Sequence, residues 1–201
     1  MRDASPDDPT APHEEALLRD ARRGDLECFN SLVELHQRAV YNLCLRMLGN
    51  PGAAEDATQD AFLAAFRSIT SLKGDTFRPW LMRIASNACT DELRRRSRRP
   101  ALSLDTGNED DAPMDVADPA PGPEIEVLRG ESEARVQEAL LRLPHDQRVA
   151  VIMCDIQGFA YEEIAVSMRT SIGTVKSRIA RGRGKLRREL GGRREEQISD
   201  V

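Results

Sequence analysis

Residues 158–190, GFAYEEIAVSMRTSIGTVKSRIARGRGKLRREL, constrain the chain more than any other stretch. Two short helical patterns are separated by a small polar break, and the second carries almost all of the local positive charge. Along that second pattern Val175, Ile179, Leu186 and Leu190 recur at helical spacing and predict a buried stripe, with Gly182 on the same face. The opposite face holds Thr174, Ser177, Arg178, Arg181, Lys185 and Arg188, so hydroxyls lead and cations follow. A recognition helix needs this layout: its first turns reach base edges in a major groove while later cations sit on phosphates. A helix-turn-helix is therefore expected, against the competing reading of a solvated basic face on an ordinary amphipathic helix.

The chain has 201 residues, 40% hydrophobic and 31% charged, which suits one or two small domains rather than one large core. Its eight aromatics are few, so aliphatic helix packing should dominate. No run of alternating β-branched residues is long enough for a sheet, and the expected fold class is all-α. A net charge of -5, taken alone, argues against a nucleic-acid partner. The charge is segregated, however: residues 171–194 hold nine Lys or Arg against one Glu, whereas residues 101–127 hold eight acids and no base.

Cys28, Cys44, Cys89 and Cys154 are scattered through apolar helical patterns, with no CxxC or Cys/His cluster, and read as buried free thiols. No phosphate-binding Gly loop, metal set or Ser/His/Asp arrangement is present, so neither an enzyme nor a cofactor is expected. A signal peptide and an 18-residue apolar span are likewise missing, which predicts an intracellular, cytoplasmic setting without membrane insertion.

Residues 1–12, rich in Pro, Asp and Ala, are expected to be disordered. A short helix from His13 to Arg23 should precede a long one capped by Asp25, with Phe29, Leu32, Val33, Val40, Leu43, Cys44 and Met47 inward and Gly49 as its stop. His36 lies on that stripe and reads as a packed boundary residue. Asn50-Pro51 restarts a helix whose inner face is Phe62, Ala65, Phe66 and Ile69. Glu55, Asp56, Gln59 and Asp60 gather on its other side. An irregular loop over 72–78 leads to a fourth helix from Pro79, with Leu81, Ile84, Ala85 and Ala88 inward and Trp80 in the core. Its polar face, Arg83, Asn87, Asp91 and Arg94, runs into RRRSRR. Pro100 ends that helix, and the Pro-rich acidic stretch after it reads as a flexible to semi-extended linker. Val136, Ala139, Leu140 and Leu143 then form one amphipathic helix, and Val149, Ile152, Met153 and Ile156 the next. The expected organisation is a module over 13–99, a linker over 100–129, a module over 130–192 and a tail over 193–201.

Three segments stand in a telling order: EDATQDAFLAAFRSI, FRPWLMRIASNACTDELRRRSRRP and LLRLPHDQRVAVIMCDIQGFAYEEIA with IGTVKSRIARGRGKLRREL. They resemble region 2.2, regions 2.3 to 2.4 and region 4 of bacterial sigma factors of the extracytoplasmic-function (ECF) group. The resemblance implies a sigma factor that binds core RNA polymerase and promoter DNA. Asp56, Gln59, Asp60 and Phe62 match the segment that docks on the polymerase clamp helices. The loop over 74–79 with Arg83, Asn87, Asp91 and Arg94 matches the part that reads and melts the −10 element. Thr174, Lys176, Ser177, Arg178 and Arg181 match the residues that face the −35 element. An anti-sigma factor is a further partner expected of the family, and the acidic linker resembles the segment threaded through the polymerase cleft. Two departures stand out: Arg169 follows Met168 where the family's turn commonly has Gly, and Gly182 and Gly184 interrupt the recognition helix. A helix-turn-helix regulator with an N-terminal sensing or dimerisation module is the alternative function, from which binding to core polymerase discriminates.

Overall fold

The computed structural model describes residues 11–72, 74, 76–98 and 123–196, and among these every regular element is helical. The N-terminal module comprises α1 (Ala11–Ala21), α2 (Leu26–Leu48), α3 (Pro51–Ser68) and α4 (Phe77–Arg98), with a short 3₁₀ turn at Ile69–Ser71. The C-terminal module comprises α5 (Pro123–Leu141), α6 (His145–Val151) continued by a π turn over Ile152–Ile156, α7 (Tyr161–Met168) and α8 (Ile172–Glu196). Of the start expected to be disordered over 1–12, residues 1–10 lie outside the described residues, as do 100–122 of the linker and 197–201 of the tail, whereas residues 11 and 12 already belong to α1. α5 begins at Pro123, inside the span assigned to the linker, and α8 runs past residue 192.

Local signals fix most helix ends. Asp25 Oδ1 accepts the backbone N–H of Cys28 at 3.0 Å, and Asn50 Oδ1 that of Ala53 at 2.9 Å, satisfying amides that each helix start leaves unpaired. Gly49 stops α2 in the left-handed conformation at φ 70°, which lets its N–H return to Leu45 O at 2.8 Å. α4 starts two residues before the expected Pro79, which still falls in the first turn where a missing N–H costs nothing. Arg22, in the turn just after α1, holds the connection before α4 by donating to Leu72 O at 3.1 Å and to Gly74 O.

α2 is the central helix of the N-terminal module and buries Phe29, Leu32, Val40, Leu43, Cys44 and Met47. His36 is packed as expected, its Nε2 3.1 Å from Glu14 Oε1 and its ring 5.4 Å from Phe77. Trp80 is buried, again as expected. The inner face of α3 agrees with the expected one at Ala65, and at Ile69 just beyond the helix, but not at the two phenylalanines. It is made of Ala53, Ala54, Ala57, Ala61 and Ala65, which bring this helix close to its neighbours, while Phe62 is only partly buried and Phe66 is 44% exposed. Phe66 meets the core through one edge-on contact with Phe29, ring centroids 5.0 Å apart. Among the cysteines, Cys44 and Cys89 are buried, whereas Cys28 and Cys154 are half-buried, and all four are free.

In the C-terminal module Ala139, Leu140, Leu143, Val149, Ile152 and Met153 are buried, but Val136 and Ile156 are exposed. The π turn explains Ile156. Gln157 N–H bonds to Ile152 O, five residues back, so the chain gains an extra residue in that turn and Ile156 rotates outward. The two modules share one continuous apolar core, in which α7 packs on α4 while α5 and α6 pack on α2.

Candidate nucleic-acid interface

α8 begins at a local cap: Ser171 Oγ accepts the Thr174 N–H at 3.2 Å and lies 2.9 Å from Thr174 Oγ1. Val175 and Ile179 are buried as expected, with Leu186 packed against the core edge. Thr174, Ser177 and Arg178 are half-buried along one stripe, Arg181 is exposed on it, and Lys176 is exposed to one side. Ser177 Oγ donates to Thr174 O at 2.9 Å and accepts from Arg181 Nη2 at 3.3 Å, so the stripe is internally ordered. Arg178 reaches across to Asp146 on α6 at 2.5 Å. Arg183 makes a two-pronged pair with Asp155, one N–O distance being 3.0 Å; that pairing raises its pKa further above the ordinary guanidinium value. Lys176 Nζ stands 5.8 Å from the centre of the Tyr161 ring.

Arg169 and Gly182, though not Gly184, have structural answers. Arg169 adopts φ 49°, ψ 50°, the left-handed conformation usually given to glycine. With it the N–H groups of Arg169 and Thr170 close on Val166 O at 3.3 Å and Ala165 O at 3.0 Å, the Schellman pattern of a helix stop. The turn geometry is kept with Arg, at a steric cost of about 1–2 kcal/mol. At the other end of α7, Glu163 Oε2 accepts the Ala160 N–H at 2.8 Å and braces the start of the helix. Gly182 is a packing requirement: a Cβ there would stand 2.6 Å from Val151 Cγ2 and 3.4 Å from Gln147 O. Gly184 meets nothing within 4 Å.

In the N-terminal module Asp56, Gln59 and Asp60 are exposed on α3, and Asn87, Asp91 and Arg94 are exposed on α4. The expected polymerase and −10 sets thus share one surface. Asp56, Asp60, Asn87 and Asp91 line a cleft of about 410 Å³ between the two helices, floored by Ala57 and Ile84. Arg83 lies apart from its three companions in exposure. α7 covers its side of α4, and burial together with the nearby Arg169 charge lowers the Arg83 pKa. The basic end of α4 is partly neutralised along its own helix, Arg94 pairing with Asp91 and both Arg95 and Arg96 with Glu92.

Residues 32–99 match the model of Sigma-70 region 2, and residues 133–186 match that of Sigma-70, region 4. The RNA polymerase sigma-H factor of Pseudomonas aeruginosa is 36% identical over 181 residues, covering 87% of this chain and 92% of that one. The chain belongs to the ECF RNA polymerase sigma factors. The ECF RNA polymerase sigma factor SigE of Mycolicibacterium smegmatis is 40% identical over 161 residues, 79% of this chain, which spans 60% of that protein's length. Among solved structures, CnrH in complex with the cytosolic domain of CnrY superposes with a TM-score of 0.67 at 26% identity, covering 89% of this chain and 97% of that one. As a sigma factor the protein directs promoter-specific initiation of transcription. No helix among the described residues is long and apolar enough to cross a membrane.

Sequence reasoning missed Asp146 and Asp155, the carboxylates that hold cations of the recognition helix from 32 and 28 residues away. It also missed Gln137, Arg148 and Gln157, which join the two modules. Arg148 is buried, its guanidinium donating to Met47 O at 2.6 Å and Leu143 O at 3.1 Å. A cation in the run HDQRVAV, next to the apolar stripe of α6, was the available signal.

Proposed function

We propose that Thr174, Lys176, Ser177, Arg178 and Arg181 of α8 engage the −35 element, that Arg83, Asn87, Asp91 and Arg94 of α4 with the loop over 74–79 engage the −10 element, and that Asp56, Gln59, Asp60 and Phe62 dock on core RNA polymerase. The observation that carries the reading is the ordered stripe on α8. Its hydroxyls and its first two arginines lie within the first three turns of the helix, on the face opposite buried Val175 and Ile179, where a helix in a major groove meets base edges. The exposed acids of α3 suit a basic helical partner, and the cations of α4 suit a single-strand backbone.

In this reading the protein is a specificity subunit, not an enzyme, and acts in the cytoplasm where polymerase and chromosome are. Likeness to CnrH, solved with the cytosolic domain of CnrY, supports regulation by a protein partner of the anti-sigma type. Run-off transcription with core polymerase and a genomic fragment library tests the proposal: initiation at discrete promoters without another sigma factor is expected. A helix-turn-helix regulator would neither bind core polymerase nor start transcription in that assay.

A further inference from the structure

The connection between α3 and α4 is shaped by a residue fifty positions earlier in the chain. Leu72 is buried at its start and Phe77 at the beginning of α4, so both edges are seated in the core. Leu72 N–H also returns to Ile69 O at 3.2 Å and closes the 3₁₀ turn. Gly74, between those edges, is exposed and adopts φ 82°, a region that residues with a Cβ rarely enter. The carbonyls of Leu72 and Gly74 converge on one nitrogen, Nη2 of Arg22, the first at 3.1 Å. In an extended chain these two residues would stand about 7 Å apart, and sharing one donor draws their carbonyls together.

Arg22 is firmly based. Its own N–H bonds to Leu18 O at 3.0 Å, and Leu18 and Ala21 beside it are buried. The same helix braces the far edge of the connection, since Glu14 pairs with His36, whose ring lies 5.4 Å from that of Phe77. The end of α1 thus frames this loop, although α1 carries none of the residues assigned to DNA or polymerase.

A base taken out of a strand is recognised by groups that must be held to within about half an ångström of the productive geometry. A loop seated only at its two edges does not meet that demand. A cation that holds the exposed middle does. We propose that Arg22 is a positioning residue for −10 recognition: through the carbonyls of Leu72 and Gly74 it holds the loop in the conformation that accepts the base, so base preference depends on a side chain that touches no DNA. The proposal rests on the −10 assignment given above. Stability depends on Arg22 less than preference does, because Gly74 is exposed and water can take its carbonyl when the guanidinium is gone.

The test uses holoenzyme reconstituted from core polymerase and the full chain. The probe is a pool of duplex templates carrying a promoter from the run-off assay above, randomised over its −10 element, with the transcripts sequenced. Arg22→Met keeps the side-chain stem and removes the donors, whereas Arg22→Lys keeps a cation able to serve both carbonyls. Arg22→Met should lower the preference at one −10 position by about tenfold and leave −35 preference unchanged; Arg22→Lys should retain most of it. Gly74→Ala, whose Cβ would meet nothing within 4 Å, disturbs only the backbone and should flatten the same position. Should Arg22→Met not fold by circular dichroism, Arg22→Gln, too short to reach both carbonyls, repeats the comparison. A folded Arg22→Met that lowers yield on all templates equally, with its preference intact, overturns the positioning role. If Gly74→Ala alone flattens the preference, the loop reads DNA without Arg22 and the proposal falls while the −10 assignment stands. If neither does, the assignment of the loop falls as well.

Discussion

The two basic helices of this sigma factor hold their cations in different ways. At the end of α4 the arginines pair with Asp91 and Glu92 of the same helix, three or four residues away. On α8, Arg178 and Arg183 pair instead with Asp146 of α6 and Asp155 of its π turn. Pairs within a helix are worth a few tenths of a kcal/mol and hold the side chains only along the helix surface. Pairs between helices fix where a side chain points and tie the recognition helix to its support. The difference teaches that α4 presents a loosely held charge reservoir, suited to a flexible strand, and α8 a positioned set, suited to base edges in a rigid groove.

The largest effect expected is from filling the contact that seats α8. Gly182→Val should destabilise the C-terminal module by about 1–3 kcal/mol, because its branched side chain meets Val151 and the backbone of Gln147. Chemical denaturation should show the loss, with core-polymerase binding retained. Gly184→Ala, in open space two residues on, should raise stability by about 1 kcal/mol through helix propensity. If both changes destabilise equally, α8 is not seated through Gly182.

Next, reading and holding should separate along α8. Arg178→Ala should cost about 1–3 kcal/mol at the cognate −35 element and flatten preference at one or two base pairs. Lys185→Ala should weaken all duplexes nearly equally and lower the salt slope by about one unit. An Arg178→Ala protein with base preference intact and only the salt slope altered would assign the reading face elsewhere.

On the N-terminal module, Gln59→Ala with Asp60→Ala should weaken core-polymerase binding by roughly 1–2 kcal/mol while circular dichroism stays unchanged, since both side chains are exposed. Unchanged affinity for the folded double variant removes that surface from docking. The smallest effect is expected from Asp146→Ala. The pair it breaks is 53% exposed on the carboxylate side, so stability should move by less than about 1 kcal/mol. Release of Arg178 should tighten duplex binding modestly while blurring its base preference, which a competition assay with substituted −35 duplexes measures.

Much of the fold was legible because its signals are local. Asp25, Gly49 and Asn50 act within four residues of themselves, and the stripe of α2 repeats every third or fourth position, so caps and core face could be read directly. The errors have a common cause. Phe66, Val136 and Ile156 fit an apolar period yet face outward, because burial depends on which neighbour arrives. α3 met its neighbours through alanines, and one π turn shifted the phase of the helix carrying Ile156. The recognition stripe was legible for the same reason as the caps, all its members lying on one helix.

What the sequence by itself determined was the set of helices, the ends that carry a local cap, the segregation of charge, and the family. What only the tertiary structure decided was how those helices use one another. Gly182 looked like a weakness until Val151 stood against it, and Arg169 like a departure until its turn closed in the same left-handed form. Arg148 found its carbonyl on Met47, 101 residues away. Backbone periodicity and capping are set by bonds within a turn, whereas the partner of a buried cation or the room beside a glycine is set by through-space packing that no local pattern encodes.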